Sequence, residues 1–148
     1  MRNSYLIFAL FAIFIMNNNA AKAQSGQELV DLCNIIADDA AYLKDFQVKL
    51  DAAKPGEEKP NMKFSVVLSK STQYRFSICN SKDYTGKAIV SLYDNNRLLG
   101  TNYLVATGKN YPFFDFKCQS TGVYHIFIDF KEGEQGLAVV LLSFVQKL

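Results

Sequence analysis

From Ala41 onward, apolar residues recur at every second position, a spacing that predicts strands with one buried face. Tyr42, Phe46, Val48 and Leu50 share one side of a first strand. Met62, Phe64, Val66 and Leu68 define a second, and Tyr74, Phe76 and Ile78 a third. The short Ser69–Thr72 link between these two makes them read as a hairpin. Lys87–Tyr93 is a fourth strand, followed by a tight turn at Asp94-Asn95-Asn96, where Asn tolerates positive φ. Leu98–Leu104 is a fifth, interrupted at Gly100, and Tyr111–Cys118 a sixth, with Pro112 at its start or on an edge. Tyr124, Ile126, Ile128 and Phe130 mark a seventh after the Gln119–Gly122 turn. Leu137–Val145 is apolar on both faces and too short to span a membrane, so it predicts a strand buried on two sides. Seven to eight short strands divided by turn signals predict a mainly β chain, an antiparallel jelly-roll-like β-sandwich.

One stretch has a different period. Leu29, Leu32, Cys33 and Ile36 fall at i, i+3, i+4 and i+7, the stripe of an amphipathic helix. Ser25-Gly26-Gln27-Glu28 ahead of them has the spacing of a capping box. A helix within 24–40 follows, expected to cover the last strand or an open end or edge of the sheets. Asp51–Asn61, with Pro55-Gly56 and Pro60, is the one segment expected to be flexible.

The N-terminus sets the compartment. Arg2 precedes an uncharged apolar run from Tyr5 to Met16, and Ala21-Lys22-Ala23 follows. These are the three parts of a cleavable secretory signal, and the run is too short for a membrane anchor. The expected organisation is therefore a signal peptide over 1–23, a helix in 24–40 and a β-sandwich over 41–148, in a secreted or periplasmic protein. No membrane span is expected after cleavage.

Cleavage changes the charge. Arg2 and Lys22 leave with the leader, and 14 basic residues then face 14 acidic ones. A neutral chain lacks the basic excess that nucleic acid requires, so no nucleic-acid partner is expected. Export also permits a disulfide among Cys33, Cys79 and Cys118. If successive strands alternate in direction, Cys79 ends the third strand at one end of the sandwich, and Cys118 ends the sixth at the other. Cys33, just before the first strand, is expected at the Cys118 end. Strands span roughly 20 Å and bridged Cα atoms lie within about 7 Å, so the expected bond is Cys33–Cys118.

Candidate chemistry is sparse. The lone histidine, His125, shares a face with Phe127 and Asp129, but residues i and i+4 on a strand are roughly 13 Å apart. No G-x-S-x-G elbow and no phosphate-cradling glycine loop occurs. The cysteines lack zinc spacing, and no metal or other cofactor is expected. Asp94-Asn95-Asn96 and Asp38-Asp39 are incomplete calcium ligand sets, better read as a turn and a helix end. Asp115 and Asp129 are the carboxylate pair a small envelope hydrolase would need. Tyr84, Tyr93, Tyr103 and Tyr111 fall in or near loops, where amphipathic rings form binding surfaces or pack over the core rim.

Residues 64–146 also resemble the bacterial pre-peptidase C-terminal type of β-sandwich. The resemblance rests on Tyr74-Arg75-Phe76 after an apolar strand, on Val90-Ser91-Leu92-Tyr93-Asp94 with a polar turn and Leu98-Leu99, and on Thr121-Gly122-Val123-Tyr124 opening His-Ile-Phe-Ile. It implies a jelly-roll accessory domain linked to secretion or matrix binding. This chain lacks the Asp-x-Asp run found before the Leu-Tyr strand in such domains, and it is expected to stand alone rather than beside a peptidase. The expected function is a non-catalytic exported module that contacts protein or glycan. A small hydrolase and a purely structural envelope protein are the alternatives.

Overall fold

The computed structural model describes residues 23–148. The expected leader, apart from Ala23, lies outside the described residues. The first element is helix α1, Gly26–Ala37. Ser25 caps it: its hydroxyl accepts from the Glu28 amide while the Glu28 carboxylate accepts from the Ser25 amide. This is the capping box expected from sequence, and it satisfies two N-terminal amides that a helix otherwise leaves open.

Ten strands follow. They are β1 (Ala41–Leu50), β2 (Met62–Leu68), β3 (Thr72–Asn80), β4 (Ala88–Asp94) and β5 (Arg97–Thr101). Then come β6 (Tyr103–Leu104), β7 (Lys109–Asn110), β8 (Phe113–Cys118), β9 (Gly122–Phe130) and β10 (Gly136–Lys147). One sheet has the order β1-β10-β3-β8, the other β2-β9-β4-β5, and β6-β7 form a small separate ribbon. Among the described residues all strand pairings are antiparallel. Among the eight sandwich strands the first pairs with the last, the second with the seventh, the third with the sixth and the fourth with the fifth. That nesting is a long hairpin rolled up, the topology of a jelly roll. The mainly β sandwich expected from the alternation is therefore the observed fold.

The nesting corrects one local expectation. β2 and β3 are not a hairpin; the Ser69–Ser71 link carries the chain from one sheet to the other. Stacked sheets lie about 10 Å apart, which a three-residue connection spans. Among the sandwich strands, β4–β5 is the hairpin, turned at Asn95 with φ 44°. Where β5 ends, the Asn102 side chain continues the ladder. It accepts from the Val90 amide and donates to the Ala88 and Tyr111 carbonyls, tying β6–β7 to the edge of β4. The 51–61 segment is tied as well, through the Ala53 amide and the Gly133 carbonyl at 2.7 Å.

Two apolar layers result. Between the sheets lie Phe46, Val48, Phe76, Ile78, Val90, Leu92, Ile126, Ile128, Val140 and Leu142. On the outer face of the first sheet, Leu29, Val30, Cys33 and Ala37 of α1 pack on Cys79, Val139 and Leu141. β10 thus alternates Ala138, Val140 and Leu142 inward with Val139 and Leu141 outward, and both sets are buried. Each fully buried Val or Leu contributes about 1.5–3 kcal/mol, so neither face can be left wet. The helix stripe is rotated from the expected one. Leu32 is 39% exposed and Val30, at 7%, replaces it.

The disulfide is Cys33–Cys79, with Cα atoms 5.7 Å apart, and Cys118 is a buried free thiol. The expected Cys33–Cys118 bond is wrong for two reasons. First, α1 lies along the sheet rather than beside one end of it. Gln24 contacts Lys82 and Asp83 past the end of β3, while the Ala37 carbonyl accepts from Arg75 near its start. A 12-residue helix is about 18 Å long, so Cys33 is carried well away from the Cys118 end. Second, Cys33 and Cys79 lie on the outer side of the sheet and Cys118 on the inner.

The fold therefore makes a chemical prediction. Peptide mapping without reduction should link Cys33 to Cys79 and leave Cys118 alkylatable only after unfolding. Cys33→Ser should lower stability by about 2–4 kcal/mol in urea.

Candidate functional site

The sandwich is asymmetric. α1 seals the outer face of β10 and β3, but among the described residues no element covers the outer face of β2-β9-β4. The exposed rows of that face follow from the register. Val67 pairs with Val123, Ser65 with His125 and Lys63 with Phe127. Across β9, His125 pairs with Tyr93, Phe127 with Ser91 and Asp129 with Ile89. Val67 and Val123 are 70% and 56% exposed, an apolar pair at one end of the face.

Further along, the face carries a groove of about 410 Å³. Tyr93 and Phe127 form its aromatic part, with ring centroids 5.5 Å apart and planes nearly perpendicular. Ser91, Asn61, Asp129 and the Asn95-Asn96 turn complete the lining. Lys63 Nζ stands 5.5 Å from the Phe127 centroid. Burial raises the Asp129 pKa above the ordinary carboxylate value, opposed by the nearby positive charge of Lys59. Beside the groove, Ser65 Oγ lies 2.9 Å from His125 Nδ1.

The expected site residues are scattered. Of the four tyrosines only Tyr93 reaches the groove. Tyr84 lies in the β3–β4 connection, within cation–π distance of Lys49. Tyr103 opens β6 and Tyr111 follows β7, beside Lys131 and Lys109 respectively. All three belong to the end where β4 begins, whereas Tyr93 is near its far end. The four do not form one surface.

Asp115 and Asp129 are separated further still. They were expected on adjacent strands, but β8 and β9 belong to different sheets, and the two side chains lie on opposite outsides of the sandwich. Asp115 accepts from Arg75 Nε and Nη2 at 2.8 and 3.0 Å, and this pairing lowers its pKa. Arg75 also lies over the Phe113 ring and donates to the last turn of α1. The Asp115–Arg75 pair is thus a strut between β8, β3 and the helix end. His125 and Asp129 do share a face but sit two rows apart. The Ser65–His125 pair stands on an open sheet, and among the described residues no third side chain hydrogen-bonds the imidazole as the base of a nucleophilic triad needs. Asp94 pairs with Arg97 at 2.7 Å. Among the described residues no three His, Cys, Asp or Glu side chains gather as a metal site.

A second, polar hollow lies where the β4–β5 and β8–β9 turns meet, between Arg97, Lys117, Gln119 and Tyr124. Its floor is rigid. The Tyr124 hydroxyl donates to the Ser120 carbonyl, and Cys118 Sγ sits 3.5 Å from the same hydroxyl. Burial pushes the Tyr124 pKa up to about 12.

Sequence reasoning put Phe127 on the face of His125 and Asp129 but missed Asn61, Ser65 and Ser91 as parts of it. The alternation did place Phe127 opposite the core-facing Ile126 and Ile128. Which strands flank β9 was not legible, because register between strands distant in sequence leaves no periodic mark.

No protein-family model matches the sequence, and no curated protein matches it. Among solved structures the fold is similar to that of Aeromonas hydrophila PliG, a periplasmic lysozyme inhibitor of g-type lysozyme. The TM-score is 0.52 and the identity 12%, over 71% of this chain and 88% of that one. At this identity the likeness establishes a shared β-sandwich fold.

Asp129 gives the site a measurable signature. Its raised pKa means that folding disfavours its ionised form, so it lowers stability above its unfolded pKa of about 3.9. Asp129→Asn should raise the urea midpoint at pH 7, with the gain disappearing as the pH falls below the unfolded value. A gain that is the same at pH 3 and pH 7 would contradict this.

Proposed function

We propose that this chain is an exported, non-catalytic binding protein that meets a protein partner through the uncovered face of β2-β9-β4. The observation that carries the reading is the asymmetry of the sandwich. One sheet is sealed by a disulfide-clamped helix, while the other leaves Val67, Val123, Tyr93 and Phe127 on an open surface. Solvent-facing apolar pairs beside aromatic and polar groups are the composition of a contact surface. The buried Cys33–Cys79 bond fits an oxidising compartment and supports export. The scattering of Asp115, His125 and Asp129 supports a role without catalysis.

The neighbour of similar fold is a periplasmic lysozyme inhibitor of g-type lysozyme. It supports a protein ligand and makes lysozymes the first partners to test. Kinship with the pre-peptidase C-terminal type of sandwich, also a non-catalytic class, belongs to the same proposal and fits the jelly-roll topology.

The test begins with fractionation, in which the chain should leave the cytoplasm shortened at its N-terminus. The recovered protein should then form a saturable complex with a g-type lysozyme. Val67→Glu together with Val123→Glu puts charge on two exposed positions and should weaken that complex at least tenfold while leaving the fold intact. Retention in the cytoplasm would remove the export claim. A complex indifferent to the double substitution would remove the assigned face, and no complex with g-, c- or i-type lysozymes would remove that class of partner.

A further inference from the structure

The groove beside the apolar pair has a chemistry of its own. Its lining joins two ring systems, Tyr93 and Phe127, to three solvent-facing or rim amides, Asn61, Asn95 and Asn96, and to the Asp129 carboxylate. We propose that this groove binds a neutral oligosaccharide, with Tyr93 and Phe127 meeting the C–H faces of the sugar rings and the amides and Asp129 meeting the hydroxyls. The inference shares the open face with the function proposed above but assigns it a second ligand class, and it does not depend on a lysozyme partner.

Three features select this ligand. A sugar ring presents an apolar C–H face and a rim of hydroxyls that both donate and accept. The groove offers the matching pair: ring systems for the one, and amides, which both donate and accept, for the other. A wholly apolar ligand would bury Asp129 and Ser91 without partners, which is costly. An anionic ligand would meet the Asp129 carboxylate, and the lysines nearby, Lys59 and Lys63, stand outside the lining. Lys63 stands beside Phe127 but is exposed, so its side chain can move aside from the ring.

Asp129 is the specific element. It is half-buried, and no protein hydrogen bond contributes to its pKa, which burial alone raises. A carboxylate in that condition can accept from two neighbouring sugar hydroxyls, and two such charge-assisted bonds would relieve the unpaired state. The floor beneath it is stiff. β9 is the strand between β2 and β4, and its alternate residues Ile126, Ile128 and Phe130 are locked in the core. The Asn95-Asn96 turn is set by the positive φ of Asn95 and by the Asp94–Arg97 pair across it. The volume, about 410 Å³, falls within the range of small-molecule pockets.

The experiment uses the exported chain with its disulfide formed, labelled with ¹⁵N and titrated with chitotetraose, cellotetraose and maltotetraose. At least one should give saturable amide shifts confined to β4, β9 and the Asn95-Asn96 turn. Tyr93→Ala and Asp129→Ala should each weaken that binding about tenfold or more, whereas Tyr42→Ala, on the other sheet, should leave it unchanged. Tyr93→Phe, which keeps the ring, should retain most of the binding and so separates stacking from folding effects. The proposal is overturned if none of the three sugars moves these amides, or if binding survives both alanine substitutions. It is equally overturned if a g-type lysozyme shifts the groove amides and no sugar does, because the groove is then a protein-docking surface alone.

Discussion

The rest of the molecule depends on the burial of β10 on both sides. Its inward residues, Ala138, Val140 and Leu142, join the core between the sheets, and its outward residues, Val139 and Leu141, need a second apolar layer. A strand of this kind cannot sit at an edge or face water. Its place between β1 and β3 answers the first demand, and α1 answers the second. The helix is short and carries little surface, so packing alone holds it modestly. The Cys33–Cys79 bond and the Arg75 donation to Ala37 fasten it at its middle and its C-terminal end.

Once one outer face is sealed, the opposite face becomes the available surface. The inner residues of β9 are committed to the core, so every second position, Val123, His125, Phe127 and Asp129, is turned to the outer face. This juxtaposition brings an apolar pair, a hydroxyl–imidazole pair and an aromatic groove onto one sheet. The same alternation separates the two candidate carboxylates. Consecutive strands of a jelly roll often lie in different sheets, so Asp115 and Asp129 face away from each other despite their nearness in sequence.

Most of the strands were legible because burial on one face imposes a period of two, which survives any arrangement of neighbours. The capping box of α1 was equally legible, since its partners lie three residues apart. The double burial of β10 could be read from its unbroken apolar run. The site was legible only in pieces. The alternation put His125, Phe127 and Asp129 on one face, but nothing local showed that Tyr93, Asn61 and Ser65 join them there. The disulfide was misread for a related reason. Strand direction placed Cys79 and Cys118 at the correct ends, but not the line that α1 takes across the sheet.

The chain by itself thus determined the alternation, the helix start, most of the turns and the equal numbers of acidic and basic residues over 24–148. Each is a property of neighbouring residues or of totals. Tertiary structure alone decided which strands became neighbours, which face α1 covered, which cysteines met and which side chains gathered in the groove. These depend on contacts between residues tens of positions apart, and such contacts are chosen by the joint packing of all the strands rather than by any local preference.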